Sequence, residues 1–269
     1  MLVVDDGSTD ETKEILSRNN IDFLTTGRNS GGPNKGRNIG LKTATGDYIC
    51  IMDHDDRWKS HKIITQLKYV DKAPIITSGY TLINNYTNTQ TDYVRKPNDS
   101  NKYVMFGKDV TFKKKLMKSS DRQNAYLGGI LFSSELKNNF FEEVFGMVDY
   151  DWVLRLFNKN HSLEICESLY FKYIDDINLS YNESYRIKDF YYSLMAIEVY
   201  ADEYPREVRR AYKKIHGTRA RYYYIKGEMK KARFYFLKAE LHWKTILYYL
   251  TTFIGSKYVI RKFKVSGSW

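Results

Sequence analysis

The stretch Tyr48–Lys59, YICIMDHDDRWK, decides how this chain is read. An apolar run of strand type ends abruptly in Asp53, His54, Asp55 and Asp56. Carboxylates crowded at one strand end repel each other, and a divalent cation among them removes the penalty. Oxygen ligands of this kind suit magnesium or manganese, which keep several waters and bind through one or two carboxylates plus substrate phosphates. His54 lies between the acids and is expected to face away from a ligand.

Upstream, MLVVDD is a second apolar run that ends in acids, Asp5 and Asp6. GSTD then makes a turn, and STDETKEILSRN reads as a helix with Ser8, Thr9 or Asp10 as its N-cap. IDFLTT reads as a strand, GRNSGGPNKG as a glycine-rich loop and GRNIGLKTAT as a helix leading into GDYICIMD. Strands without polar alternation, separated by helices, predict an α/β fold with a mostly parallel sheet covered on both faces. In such sheets ligands bind beyond the carboxyl ends of the strands, so the two acidic clusters are expected on one edge. Strand-end aspartates also cap turns, and for Asp5 and Asp6 that reading stands beside the chemical one.

Further along, SHKIITQLKYVDKA predicts a helix and PIITSGYTLIN a strand, with residues 84–102 a hairpin or loop. NAYLGGILFSSELKN predicts a strand, within which Gly128 and Gly129 either admit a ligand or form a bulge. DYDWVLRLFNKN predicts an amphipathic helix, and LEICESLYFKYI another strand. From Ile187 the pattern turns helical, dividing the chain into residues 1–186 and 187–269. YIKGEMKKARFYFLKAELHW reads as a helical hairpin turning at Gly227.

The 269 residues carry a net charge of +11, with much of the excess after Arg186. That asymmetry points to an anionic surface or to a solvated helical face. Cys50 and Cys166 lie far apart in apolar stretches, as buried free thiols in a reducing compartment do. The N-terminus shows no charged-then-apolar signal pattern, and TILYYLTTFIG is too short to span a bilayer. The expectation is a cytoplasmic protein, extended to peripheral attachment at the inner membrane face. His161, His216 and His242 read as surface or packing residues.

VVDDGSTDET, GRNIGLKTATGDYICIMDHDD and VDYDWVLRL, in this order, resemble a family 2 glycosyltransferase of the GT-A fold over about the first 180 residues. The resemblance implies an inverting, metal-dependent transfer of a sugar from a nucleotide donor, a UDP-sugar foremost, to a glycan or lipid-linked acceptor in cell-surface polysaccharide synthesis. It places Asp5 and Asp6 at the donor nucleotide, with Asp6 on the nucleobase. Asp53 and Asp55 match the outer positions of the D-x-D motif, Asp55 on a Mn2+ or Mg2+ ion and Asp53 towards the ribose and metal waters. Asp149 matches the catalytic base, although Asp151 is close by and Asp149 also stands where a helix N-cap would. Arg37 offsets diphosphate charge, with Arg28 and Lys35 as neighbours in the same loop region.

The chain departs from the family pattern in three places. It opens at what is usually the second strand, so an open sheet edge is expected, left by truncation or covered by a partner. Val148 stands where a glutamate is usual, and Asp175 and Asp176 where Arg and His often occur. Two alternatives follow: a relative that only binds nucleotide or a partner, and a nucleotidyltransferase. No nucleic-acid partner is expected. The interleaved aromatic and basic residues of WKTILYYLTTFIGSKYVIRKFK suit an interfacial helix or a helical subdomain packed on the core.

Overall fold

A computed structural model describes residues 1–97, 101–145, 149–174, 183–255 and 257. The readings of Val148, Asp175, Asp176 and the stretch 258–269 fall outside them. Contacts divide the chain into one unit of residues 1–115 and 121–178 and a second of residues 116–120 and 179–269. The first helix of the second unit begins at Glu183.

In the first unit, strand β1 (Val3–Asp5) leads through helix α1 (Thr12–Arg18) to β2 (Phe23–Thr25), and helix α2 (Asn34–Thr43) follows. The N-cap of α1 is Glu11, with no side-chain capping bond, rather than Ser8, Thr9 or Asp10; Asp10 accepts from the Thr12 amide at 3.1 Å just ahead of the helix. β1 and β2 form a parallel pair of their own, apart from the larger sheet. A two-stranded ribbon is marginal alone, and here α2 lies on it, with the Cα positions of Gly36 and Gly40 close to Val4.

The larger sheet holds seven strands: β3 (Tyr48–Cys50), β4 (Arg57–Trp58), β5 (Ile75–Asn84), β6 (Thr89–Tyr93), β7 (Tyr103–Phe106), β8 (Leu131–Ser133) and β9 (Ser162–Ile174). Its central order is β3-β8-β5-β9-β4, with β6 on β5 and β7 on β9. The α/β class stands, but the sheet is mixed rather than mostly parallel: β5 and β9 pair in parallel, and the other pairings are antiparallel. Cover on both faces is what demands a continuous apolar strand, and that cover does not depend on strand direction. β5 and β6 make the hairpin expected after Asn84.

Among the described residues, β1 pairs with β2 and β3 with β8, each on one side. A cavity of about 430 Å³ is lined by Met1, Leu2, Thr43–Gly46 and Tyr48–Cys50, residues that include parts of β3. Both cysteines are free thiols, and both are half-buried rather than fully buried.

Helices α3 (Lys62–Leu67), α4 (Val110–Leu116) and α5 (Tyr150–Phe157) complete this part of the chain. α5 buries Trp152, Val153, Leu154, Leu156 and Phe157. The Trp152 ring stacks on Phe141 with centroids 4.6 Å apart and meets Phe132 edge-on. Its indole N–H donates to the Asn139 carbonyl at 2.6 Å, so burial leaves no polar atom unsatisfied.

The second unit contains α6 (Glu183–Glu198), α7 (Pro205–Ile225), α8 (Met229–Phe236) and α9 (Trp243–Thr251). α7 and α8 form the predicted hairpin, turning at Gly227, whose φ of 79° favours glycine. Ala220, Tyr222, Tyr223, Tyr224, Ala232 and Phe236 form its core. His216 is buried, and its Nδ1 lies 2.8 Å from the Tyr212 carbonyl. His242 caps α9 by accepting from the Thr245 amide.

Trp152→Ala removes a side chain 1 % exposed and strands the Asn139 carbonyl. The expected loss is about 3–5 kcal/mol, read from urea denaturation monitored by circular dichroism.

Candidate active site

Asp5 is buried at the end of β1 and turns towards its own chain. Its two carboxylate oxygens accept from the amides of Gly7 at 3.2 Å and Ser8 at 3.1 Å, with Lys13 at 3.6 Å. Hydrogen bonding from the Ser8 side chain, with further help from the Ser8 and Gly7 amides and the Lys13 charge, holds the Asp5 carboxyl below its ordinary value. Asp5 therefore makes the turn. Asp6 reaches the opposite way, accepting from Thr26 Oγ1 at 2.7 Å and from Ser30 Oγ at 2.9 Å. It fastens the end of β1 to the loop after β2. Gly7 makes this approach possible: a Cβ there would sit 2.5 Å from the Asn29 nitrogen, and its φ is 75°.

Arg37 projects from α2 to the loop after β3. Its Nη2 lies 2.6 Å from Asp53 Oδ1, and its Nη1 donates to Asn34 Oδ1 at 3.1 Å. The guanidinium lies over the Phe141 ring at 5.1 Å, and its buried Nε has no hydrogen-bond partner. Asp55 is exposed, and no described residue gives it a hydrogen bond or ion pair. His54 is exposed as well.

Asp56 turns inward. Burial, opposed by Lys172 and reinforced by Asp55 and Asp53, pushes its carboxyl from 3.8 up to about 6. The two glycines after Leu127 bring it close to Tyr170: a Cβ on Gly128 would sit 2.9 Å from Asp56 Oδ2 and 3.1 Å from the Tyr170 ring. A Cβ on Gly129 would sit 2.9 Å from the other side of that ring. Both glycines are close-approach positions within a short 3-10 turn, Leu127–Gly129, rather than a strand bulge. Tyr170 is 1 % exposed, and its hydroxyl has no hydrogen-bond partner. Burial drives its phenol well above the ordinary value, with the charges of Asp56 and Asp149 acting in the same sense.

Asp149 precedes α5 in the N-cap position, yet its side chain makes no capping hydrogen bond. Asp151 is committed elsewhere: Arg155 Nε and Nη2 both donate to its Oδ2, at 2.9 and 2.7 Å. Arg155 also donates to the Phe140 carbonyl and to Asn139 Oδ1. Of the two neighbouring aspartates, Asp149 is the one available for chemistry.

The structure thus brings Asp53 to Arg37, Asp6 to the β2 loop, and Asp56 to Tyr170 within electrostatic range of Asp149. The approach of both Asp56 and Tyr170 to Gly128 was not assigned from sequence; the Gly-Gly pair was its visible trace. Among the described residues no group of three or more His, Cys, Asp or Glu side chains could hold a metal ion. The open carboxylate of Asp55, beside an Asp53 with one oxygen on Arg37, instead fits a cation whose remaining ligands are diphosphate oxygens and water.

The site gathers acidic strand ends, an arginine beside them and an aspartate at a helix start that no described side chain engages. Residues 1–132, just under half of the chain, match the family Glycosyl transferase family 2, and that segment belongs to it. The match sets aside the nucleotidyltransferase alternative. The putative teichuronic acid biosynthesis glycosyltransferase TuaG of Bacillus subtilis is 36 % identical over 90 residues, covering 31 % of this chain and 35 % of its own. The poly(ribitol-phosphate) beta-N-acetylglucosaminyltransferase TarS of Staphylococcus aureus strain Mu50 is 36 % identical over 76 residues, 27 % of this chain and 13 % of its own. The chain thus spans about a third or less of the curated relatives it matches. In fold it is similar to S. aureus TarS 1-349 in complex with UDP, with a TM-score of 0.61 and 17 % identity over 88 % of this chain and 68 % of that one.

Because the folded state keeps the Asp56 proton to higher pH than the unfolded chain, stability falls as pH rises from 3.8 towards about 6. Asp56→Asn removes that titration. The variant's melting temperature is expected to gain on the parent's across this window and to run parallel above it.

Proposed function

We propose that this protein transfers a sugar, with inversion, from a UDP-sugar bound at the acidic strand ends to a glycan or lipid-linked acceptor in cell-surface polysaccharide synthesis. The observation that carries the proposal is Asp149, held at the start of α5 with a carboxylate that neither caps the helix nor pairs with Arg155. A carboxylate within reach of an acceptor hydroxyl takes its proton as the oxygen attacks the anomeric carbon. One base and one displacement invert the configuration. Relatives support the donor class: a similar fold is described as TarS 1-349 in complex with UDP-GlcNAc, and GalNAc-T7 with UDP, GalNAc and Mn2+ shares the fold at a TM-score of 0.52.

In this reading Asp6 and the Ser30 loop form the nucleobase end, and Asp53 with Arg37 faces the ribose and diphosphate. The Arg37 charge opposes the negative charge that develops on the leaving diphosphate. Asp55, with Asp53, would hold Mn2+ or Mg2+, which supplies Lewis-acid neutralisation of that leaving group when bound. Asp56, with a carboxyl shifted towards neutrality, adds less negative charge beside the donor than its neighbours.

A binding-only reading rests on a separate observation, the lack of hydrogen bonds between the β1–β2 pair and the larger sheet. Release of nucleoside diphosphate distinguishes the two. With a panel of UDP-sugars and manganese, Asp149→Asn is expected to keep donor affinity and lose about 10²–10⁴ in transfer rate. Asp55→Ala is expected to weaken manganese-dependent UDP binding by about tenfold or more, measured by calorimetry. Transfer at the parental rate by Asp149→Asn would remove the base assignment.

Attachment to an anionic membrane surface belongs to the same proposal. No helix of the described residues is long and apolar enough to cross a membrane. α9 nonetheless exposes Trp243, Ile246, Leu247 and Leu250, at the spacing of one helical face, with Phe253 and Ile254 exposed just beyond it. Such a stripe next to lysines lies in the headgroup region of anionic bilayers. Paired Leu247→Glu and Leu250→Glu changes are expected to reduce co-sedimentation with phosphatidylglycerol vesicles several-fold while leaving the melting temperature unchanged.

A further inference from the structure

The helical unit contains a second polar cavity, about 50 Å³ in volume, with Lys118, Arg186, Asp189, Ser193 and Arg219 in its lining. Arg219 is its informative residue. It is only 6 % exposed. Its Nη1 donates to the Arg186 carbonyl at 3.2 Å and its Nη2 to the Tyr223 hydroxyl at 2.7 Å. The guanidinium has five N–H donors, and its buried Nε has no partner at all. Among the described residues no carboxylate forms an ion pair with it.

Packing accounts for only part of this. Phe190, Tyr222 and Tyr223 lie 5.3, 5.3 and 4.6 Å from the guanidinium carbon and satisfy the face of the cation. The N–H bonds lie in its plane, and a buried cation with an unused donor is costly unless an acceptor completes it. Lys118, Arg186 and Asp189 line the same cavity. A rigid guanidinium fork with an unused donor, beside the buried hydroxyl of Ser193, suits a compact oxyanion.

We propose that this cavity binds a phosphate group, as a monoester or diester. Arg219 supplies the buried anchor, Arg186 and Lys118 supply charge at the rim, and Asp189 limits how much anionic charge is accepted. The donor site is not involved, so the inference stands apart from sugar transfer. Two sources carry such a group: a phosphodiester-linked polyol chain and a phospholipid headgroup.

The test uses the full chain without nucleotide sugar. Inorganic phosphate is titrated into the parent, Arg219→Lys and Arg186→Gln by calorimetry, with melting curves to verify folding. Saturable binding in the parent, weakened about tenfold in Arg219→Lys and measurably in Arg186→Gln, is expected. No uptake by the parent, or equal affinity in all three folded proteins, overturns the proposal. A competition arm then sets phosphate against a soluble polyol-phosphate oligomer and against phosphatidylglycerol vesicles. The competitor displaced by phosphate in the parent but not in Arg219→Lys identifies the source, and displacement of neither overturns the assignment.

Discussion

The ion pair between Arg37 and Asp53 is the constraint on which the site depends. It joins a helix packed on the small β1–β2 ribbon to the acidic loop that leaves the larger sheet. At 2.6 Å, with the arginine side chain 10 % exposed, it is screened far less than a surface pair. The same arginine lies against Phe141, which stacks on Trp152 of α5. One cation therefore links α2, the acidic loop and, through Phe141, the helix that Asp149 precedes. Without it, Lys172 would still act on Asp56, but Asp53 would lose its ion-pair partner beside Asp55 and Asp56.

The neighbouring carboxylates divide by environment into different kinds of group. Asp5 is engaged by turn amides and Asp151 by Arg155. Asp55 and Asp149 remain open. Asp56 is raised to about 6, chiefly by burial. Carboxylates of one chemical type thus reach distinct states because their surroundings differ.

Much of this was legible in the sequence. The apolar runs behind Asp5 and Asp53, the α2 and α5 patterns and the Gly227 turn all appear where periodicity put them. Strand direction was not legible: β3, β8 and β5 are apolar because both faces are covered, and an antiparallel neighbour needs the same residues as a parallel one. β4 was missed because Arg57–Trp58 is two residues long and polar at its start. β7 and α4 lie in lysine-rich sequence with little periodicity. Tyr170 looked like one more strand aromatic, since its partners come from loops far away in sequence. Arg219 was equally hidden, because a lone arginine on a basic helix says nothing of a counter-charge that fails to arrive.

The paired glycines at 128 and 129 carry a broader consequence. Each offers a hydrogen where any other residue would present a methyl group against Tyr170, and one of them against Asp56 too. A side chain at 128 therefore disturbs the acid and the phenol ring together, while one at 129 presses on the ring and not on the acid. The two positions are unequal: the first couples the loop of Asp56 to the strand of Tyr170, and the second reaches that strand without the loop.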